Sequence, residues 1–327
     1  MSAADNEPSV LYHYTDSFGL VGIVKPSWPS WLVPFFKSEH EIGYHRVLRL
    51  LLSDVRFMND TEELKFGARL LRERLRIAAC DHSVPEEFRA AFNDIDQFLD
   101  AEGILEWPRR CLATCFCAEG DLLSQWRGYA GGTGGFAIGV DRDGLENRTF
   151  VFHRNRWPGD LQPPSKPDLK RVVYGEEAGI AAADEHIQSL ITSDWSGLVT
   201  DQRPMARNVA RNLLFSLLVR AVTTIKADAF SEEKEWRLVT LSESGFPVDV
   251  RTRARGLVPY VDVGVNISEA VTAPGQELHY KAHPTIVDLV VGPGPDQAEQ
   301  VLAARELLTG TGHHPEVVRP SKVSYRG

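Results

Sequence analysis

The chain lacks the features that mark several large protein classes, and each absence removes a function. The stretch Met1 to Ser9 has no basic cluster and no apolar run; it reads as a flexible N-terminus, and no secretory leader is expected. The longest apolar segment, Leu213 to Ile225, is broken by Ser216, Arg220, Thr223 and Thr224. It falls short of the roughly 20 apolar residues of a membrane span, so it reads as a buried helix and no membrane partner is expected. Four cysteines in 327 residues, Cys80, Cys111, Cys115 and Cys117, are too few for a disulfide scaffold and point to a reducing, cytoplasmic setting. A net charge of −9 counts against a chain that coats phosphate backbones, because that affinity needs an excess of Lys and Arg.

Familiar catalytic motifs are missing too. There is no Gly-x-Gly-x-x-Gly after a strand, no Gly-Lys-Ser/Thr phosphate loop and no Gly-x-Ser-x-Gly elbow, which removes dinucleotide-fold, kinase and hydrolase readings. His40 and His45 are five apart rather than four, and five residues turn a helix by roughly 140° from a shared face, so they do not make a zinc helix. Cys111, Cys115 and Cys117 lack a Cys-x-x-Cys pair and read as small apolar strand residues, and no structural metal is expected.

What remains is the composition of a folded chain, 43% hydrophobic and 25% charged, with no repeat and no long Gly/Ser linker, which points to one elaborated domain over residues 1–327. Leu11 to Thr15 reads as a first strand and Phe18 to Val24 as helical. Asp60 with Glu63 matches a capping box, opening a helix whose stripe is Leu64, Ala68, Leu71 and Leu75. A second helix is expected over Pro85 to Ala101, stopped by Gly103, with Phe88, Phe92, Ile95 and Leu99 on one face. Strands are expected at Leu112 to Phe116, Gly135 to Val140, Phe150 to His153 and Arg171 to Tyr174, with a proline-rich loop at Trp157 to Asp168. A long helix follows at Met205 to Thr224, then strands at Glu235 to Thr240, Val258 to Val263 and Ile286 to Val291. Asp296 and Glu299 are expected to cap a last helix, before a closing strand at Val317 and Val318. This order lacks regular βαβ alternation and predicts an α+β fold with a mixed or antiparallel sheet and flanking helices.

Several short segments carry a family resemblance: Leu11-Tyr-His-Tyr-Thr15, Phe57-Met-Asn-Asp-Thr-Glu62, Cys115-Phe-Cys117 leading to Gln125-Trp-Arg-Gly-Tyr129 and Gly135-Phe-Ala-Ile-Gly139, Lys226 through Glu233-Lys-Glu-Trp-Arg237, Val290-Val-Gly-Pro293, and the closing Ser324-Tyr-Arg326. Together, in this order, they resemble the bacterial domain-of-unknown-function family 2971 over residues 10–327. That family is similar to the mono-ADP-ribosyltransferase superfamily. The resemblance implies that superfamily's fold, with NAD as the substrate cleaved at its nicotinamide bond. It also implies an acceptor that is protein or nucleic acid, a first-strand His or Arg at the adenosine ribose, an aromatic wall for nicotinamide and a late-strand Glu at the reacting ribose. Related transferases serve as toxins or antiphage effectors, which extends the implication to bacterial defence.

The residues can be read for this chemistry directly. Breaking a ribosyl–nicotinamide bond builds positive charge on the ribose, which a neighbouring carboxylate stabilises. Glu235 is the candidate, and alternation would put Glu233, Glu235 and Arg237 on one strand face, with Lys234 and Trp236 on the other. A salt-bridged, solvated strand is the competing reading. His13, with Leu11 and Thr15 on its own face and Tyr12 and Tyr14 opposite, has donor and acceptor nitrogens for a ribose hydroxyl; a structural hydrogen bond competes. Thr15, Tyr14, Gln125, Trp126, Arg127 and Tyr129 are candidates for holding the nucleotide, the glycines Gly131, Gly132, Gly134 and Gly135 allowing close backbone approach. Packing beside a glycine turn is the alternative for Trp126 and Tyr129. Asn59, Asp60 and Glu62 are weaker candidates, since capping accounts for Asp60. Arg251, Arg253 and Arg255 alternate as on a strand face, and Arg203, Arg207 and Arg211 recur along a helix. Either stripe suits a pyrophosphate or nucleic acid, while surface solvation accounts for most of them. A nucleotide- or partner-binding module without catalysis is the second functional reading.

Overall fold

The computed structural model describes residues 7–25, 47–58, 61–99, 110–129, 134–152, 166–193, 204–242, 248–253, 256–266, 268–271, 279–283 and 285–324. His40, His45, Asn59, Asp60, Gly103, Gly131, Gly132, His153, Arg203, Arg255, Tyr325, Arg326 and most of the Trp157 to Asp168 segment lie outside them, as do the side chains of Arg207 and Arg211.

The fold is α+β with a large, mostly antiparallel sheet. Strand β1 (Val10–Thr15) leads into helix α1 (Ser17–Val24), which starts where the Asp16 carboxylate accepts the Gly19 N–H at 2.7 Å. Strand β2 (Val47–Asp54) then precedes helix α2 (Thr61–Cys80), which buries Leu64, Ala68, Leu71 and Leu75 as their spacing predicts. Helix α3 (Glu86–Phe98) ends earlier than expected, where the Leu99 N–H returns to the Ile95 carbonyl. Next come β3 (Arg110–Cys117), the short helix α4 (Leu123–Tyr129), β4 (Phe136–Asp141), α5 (Arg142–Asn147) and β5 (Thr149–Val151).

The strand expected at Arg171 to Tyr174 is two pieces, β6 (Asp168–Arg171) and β7 (Val173–Tyr174), broken at Val172, whose N–H goes to the Glu235 carbonyl. Helices α6 (Glu176–Thr192) and α7 (Pro204–Val222) follow, then β8 (Ile225–Lys226), which pairs in parallel with β7. Glu233 is not on a strand. It ends a 3-10 helix (Asp228–Glu233), Lys234 adopts φ 45°, and only then does β9 (Glu235–Ser242) begin. Strands β10 (Asp249–Arg253), β11 (Gly256–Asn266), β12 (Ser268–Val271), β13 (His279–Ala282) and β14 (Ile286–Val291), helix α8 (Gln297–Gly310) and β15 (Val318–Pro320) complete the chain. Asp296 stands at the N-cap of α8, but its side chain makes no capping hydrogen bond.

The main path of the sheet runs β10-β11-β2-β3-β1-β4-β14-β15, with β9 on the other edge of β3 and β6 beyond it. One face of β3 and β9 carries Cys111, Ala113 and Val239 against α2, α3, α6 and α7; the other carries Leu112, Phe116, Trp236 and Leu238 into a second core that includes α1 and α8.

One irregularity shapes the molecule. β9 pairs with β3 along its whole length, whereas the opposite edge of β3 is shared: β2 pairs only at Leu112 and Ala113, and β1 only at Cys117. From there β2 runs off with β11 and β1 with β4. The sheet therefore forks, and Thr114, Cys115 and Phe116 face the opening without a ladder partner on that edge. Backbone groups left unpaired inside a protein need other partners, so a fork of this kind tends to hold side chains or a ligand.

Candidate functional site

A cavity of about 610 Å³ occupies the fork, lined by β1, the inner edge of β3, the starts of α1 and β9, and β10. Its size suits a small organic ligand.

At one end is a buried charge cluster. Arg237 donates from Nε to Glu235 Oε1 at 2.7 Å, from Nη2 to Glu235 Oε2 and to Glu63 Oε2 at 3.0 Å each, and from Nη1 to the Thr223 carbonyl at 2.6 Å. Lys226 reaches Glu63 at 2.8 Å, Glu233 at 2.7 Å and Glu235 at 2.9 Å. Three carboxylates against two cations leave one net negative charge. Burial alone would raise the Glu235 pKa, but Arg237 and Lys226 overcome it and hold the carboxyl down at about 2. Burial likewise opposes the charges of Lys226 and Arg237, and the carboxylates win at both, raising them. Glu233 is the looser member, and burial raises its pKa. The Cys115 thiol lies beside Glu235, and burial followed by the Glu235 charge keeps it protonated.

Elsewhere in the cavity the chemistry reverses. His13 Nδ1 lies 2.9 Å from the Cys115 carbonyl, the acceptor that the fork leaves without a strand partner. A carbonyl only accepts, so Nδ1 carries the proton and Nε2 is left as an acceptor. Burial keeps the ring neutral, helped by the nearby charges of Arg251 and Arg253. Register pairs Tyr12 with Cys117 and Cys117 with Glu235, so Tyr12 shares a face with Glu235 while His13 starts from the opposite one. Only because the sheet opens here do His13 and Glu235 line the same cavity. They sit in different electrostatic settings, His13 near arginines and Glu235 within the acidic cluster.

The remaining candidates divide. Thr15, Gln125, Tyr129, Glu233 and Arg237 line the cavity. Tyr129 is 43% exposed as a residue, yet its hydroxyl is desolvated and lies near Cys115, Glu233 and Glu235, which raises its pKa. Tyr14 also borders the cavity, but its hydroxyl donates to the Glu119 carbonyl and accepts from the Leu122 N–H, so it holds the turn before α4. Trp126 does not line the cavity. It is 2% exposed, its Nε1 donates to Asp121, its ring meets Tyr14 edge-on at 4.7 Å, and it packs over Gly292. Arg127 faces solvent away from the cavity. A stacking role for Trp126 and a ligand contact for Arg127 are thereby corrected.

Glu63 and Lys226 were not among the residues singled out for the site. Both Glu63 oxygens are taken, one by Lys226 and one by Arg237, while Asp60, the other half of the expected capping box, lies outside the described residues. Arg251 and Arg253 both line the cavity, Arg251 half-buried and Arg253 exposed at its rim. Among the described residues no cluster of three or more His, Cys, Asp or Glu is arranged to hold a metal, and no helix is long and apolar enough to cross a membrane.

Comparison with curated proteins and with solved structures returned no match. A family model described as "Protein of unknown function (DUF2971)" matches residues 125–238, which run from α4 to the Glu233 to Arg237 cluster and support the family resemblance read from the sequence.

Proposed function

We propose that the cavity binds NAD and that the chain breaks its nicotinamide–ribose bond, as an ADP-ribosyltransferase or, with water as acceptor, an NAD glycohydrolase. What supports this most is one cavity with an ionised Glu235 in an acidic pocket and a neutral His13 beside arginines. A dinucleotide has matching polarity: a cationic nicotinamide riboside at one end and a diphosphate further along.

In the bond-breaking step the electron pair of the C1′–N bond leaves with nicotinamide, neutralising its ring, and the ribose takes on positive charge. Glu235 stabilises that charge because it stays ionised, and Arg237 and Lys226 fix its orientation in advance. The acceptor then adds to C1′ and loses a proton. Glu233 is the group for that proton, being less buried than Glu235 and raised in pKa toward the range of a working base. His13 Nε2 accepts from a ribose hydroxyl, and the Tyr129 ring gives the nicotinamide a face to lie against.

The test is chromatographic detection of nicotinamide from NAD. Glu235→Gln is expected to lower the rate by about 100- to 1,000-fold, the range for loss of one preorganised electrostatic contact. An unchanged rate removes Glu235 from the reaction. A binding module without catalysis is the second reading, favoured by one observation: both Glu235 oxygens already accept from Arg237, and one also from Lys226. Nucleotide binding in calorimetry with no nicotinamide release would select it.

A further inference from the structure

We infer that Arg251 and Arg253 on β10 form a phosphate-binding subsite of this cavity, one that takes the diphosphate of a nucleotide. It deepens the dinucleotide reading and rests on it for the ligand's identity, while the anion preference follows from the arginines themselves.

Alternation along β10 turns residues 251 and 253 to the same side, and both line the cavity. Arg251 is held in place: its Nη2 donates to Ser53 Oγ at 2.6 Å, and its guanidinium lies 6.0 Å from the Tyr260 ring centre. Its Nε is buried and has no acceptor among the described residues. Buried donors in folded proteins are nearly always satisfied, so this guanidinium carries hydrogen-bonding capacity that the described groups around it do not meet. Neither arginine has a carboxylate partner among the described residues, in contrast to Arg49 beside them, which is paired with Asp262 at 2.6 Å. Burial, followed by the like charge of Arg253, pulls the Arg251 pKa down to about 10, as expected for a cation with nothing to neutralise it. Holding unneutralised charge against a cavity costs stability, and a phosphate oxygen would accept from such a fork and remove that cost.

Calorimetry of the full chain with ADP, and with adenosine as the uncharged control, tests the subsite. ADP is expected to bind about tenfold or more tighter than adenosine, and inorganic pyrophosphate to compete with it. Arg251→Met and Arg253→Met are each expected to weaken ADP about tenfold and leave adenosine unchanged. Arg253 is exposed, so its variant folds even if Arg251→Met does not, and Arg251→Lys, which keeps the charge and loses the fork, is expected to fall between. ADP binding no better than adenosine, or unaltered ADP affinity in both Met variants, overturns the subsite. Nicotinamide release separates the two proposals. Arginine-dependent ADP binding without turnover keeps the subsite and removes the catalytic reading; turnover with unaltered ADP affinity in both variants does the reverse.

Discussion

Glu235 shows how much of one side chain's behaviour is set by groups distant in sequence. Its neighbour Arg237 is two residues away, but Glu63, which shares Arg237, is 174 residues from that arginine. The Glu235 pKa falls from its ordinary 4.5 to about 2, so the carboxylate adds stability that is fully present above pH 4.5 and is lost as pH falls from there through about 2. The size is on the order of 3 kcal/mol for such a shift. Glu233, raised by burial, works the other way, its contribution being full below pH 4.5 and lost as pH rises. Urea midpoints measured at pH 6, 4.5 and 3 should therefore drop steeply over the lower interval in the wild-type chain, and less steeply in Glu235→Gln. Parallel slopes would show that the pairing does not govern acid stability.

Among the elements, α2 places the cluster. Gly67 sits one turn beyond Glu63, and a Cβ there would stand 2.6 Å from the Val222 carbonyl oxygen at the end of α7. That close approach lets α2 lie against the segment leading to Lys226. Intrinsic propensity favours Ala over Gly in a helix by about 1 kcal/mol. The clash is with backbone, which cannot swing aside, so overpacking of about 1–3 kcal/mol is the larger effect. Gly67→Ala is expected to lower the urea midpoint and, by displacing Glu63, to weaken nucleotide binding as well; a stabilised variant would mean that the helices can part without cost.

At the scale of the molecule, the first and last described strands, β1 and β15, belong to the same sheet. Tyr12 donates to Asp288 at 2.9 Å, Asp288 is paired with Arg319 of β15 at 2.7 Å, and Asp121 accepts from Trp126, Ser321 and the Lys322 N–H. Val318, 2% exposed, packs with α8 and β14 in the core. Deleting residues 313–327 would strip β15 from β14 and leave Asp288 and Asp121 short of partners. A loss of at least roughly 2 kcal/mol is expected from the buried valine and the broken hydrogen bonds. An unaltered urea midpoint would show that this end is not integral to the fold.

By itself the sequence determined the elements whose signal is local. The Leu64 to Leu75 and Phe88 to Ile95 stripes repeat at the helical period and form as read, and β1 and β14 form where β-branched and aromatic residues cluster. β2 was not anticipated because Val47 to Asp54 is buried on both faces and does not alternate, and α6 because its buried face includes Gly179 and Ala183, which give little apolar contrast. The Glu-x-Glu beside Arg was visible as a pattern, but not that Glu233 reaches the cluster from a 3-10 turn or that Lys226 joins it. The tertiary structure alone decided that Trp126 is core, that Glu63 pairs with Arg237, and that His13 meets the same cavity as Glu235. The physical reason is that local periodicity assigns each residue to a face, whereas the fork that joins the two faces arises from how far β1 and β2 each stay paired to β3, a balance of non-local pairing that no window of the chain contains.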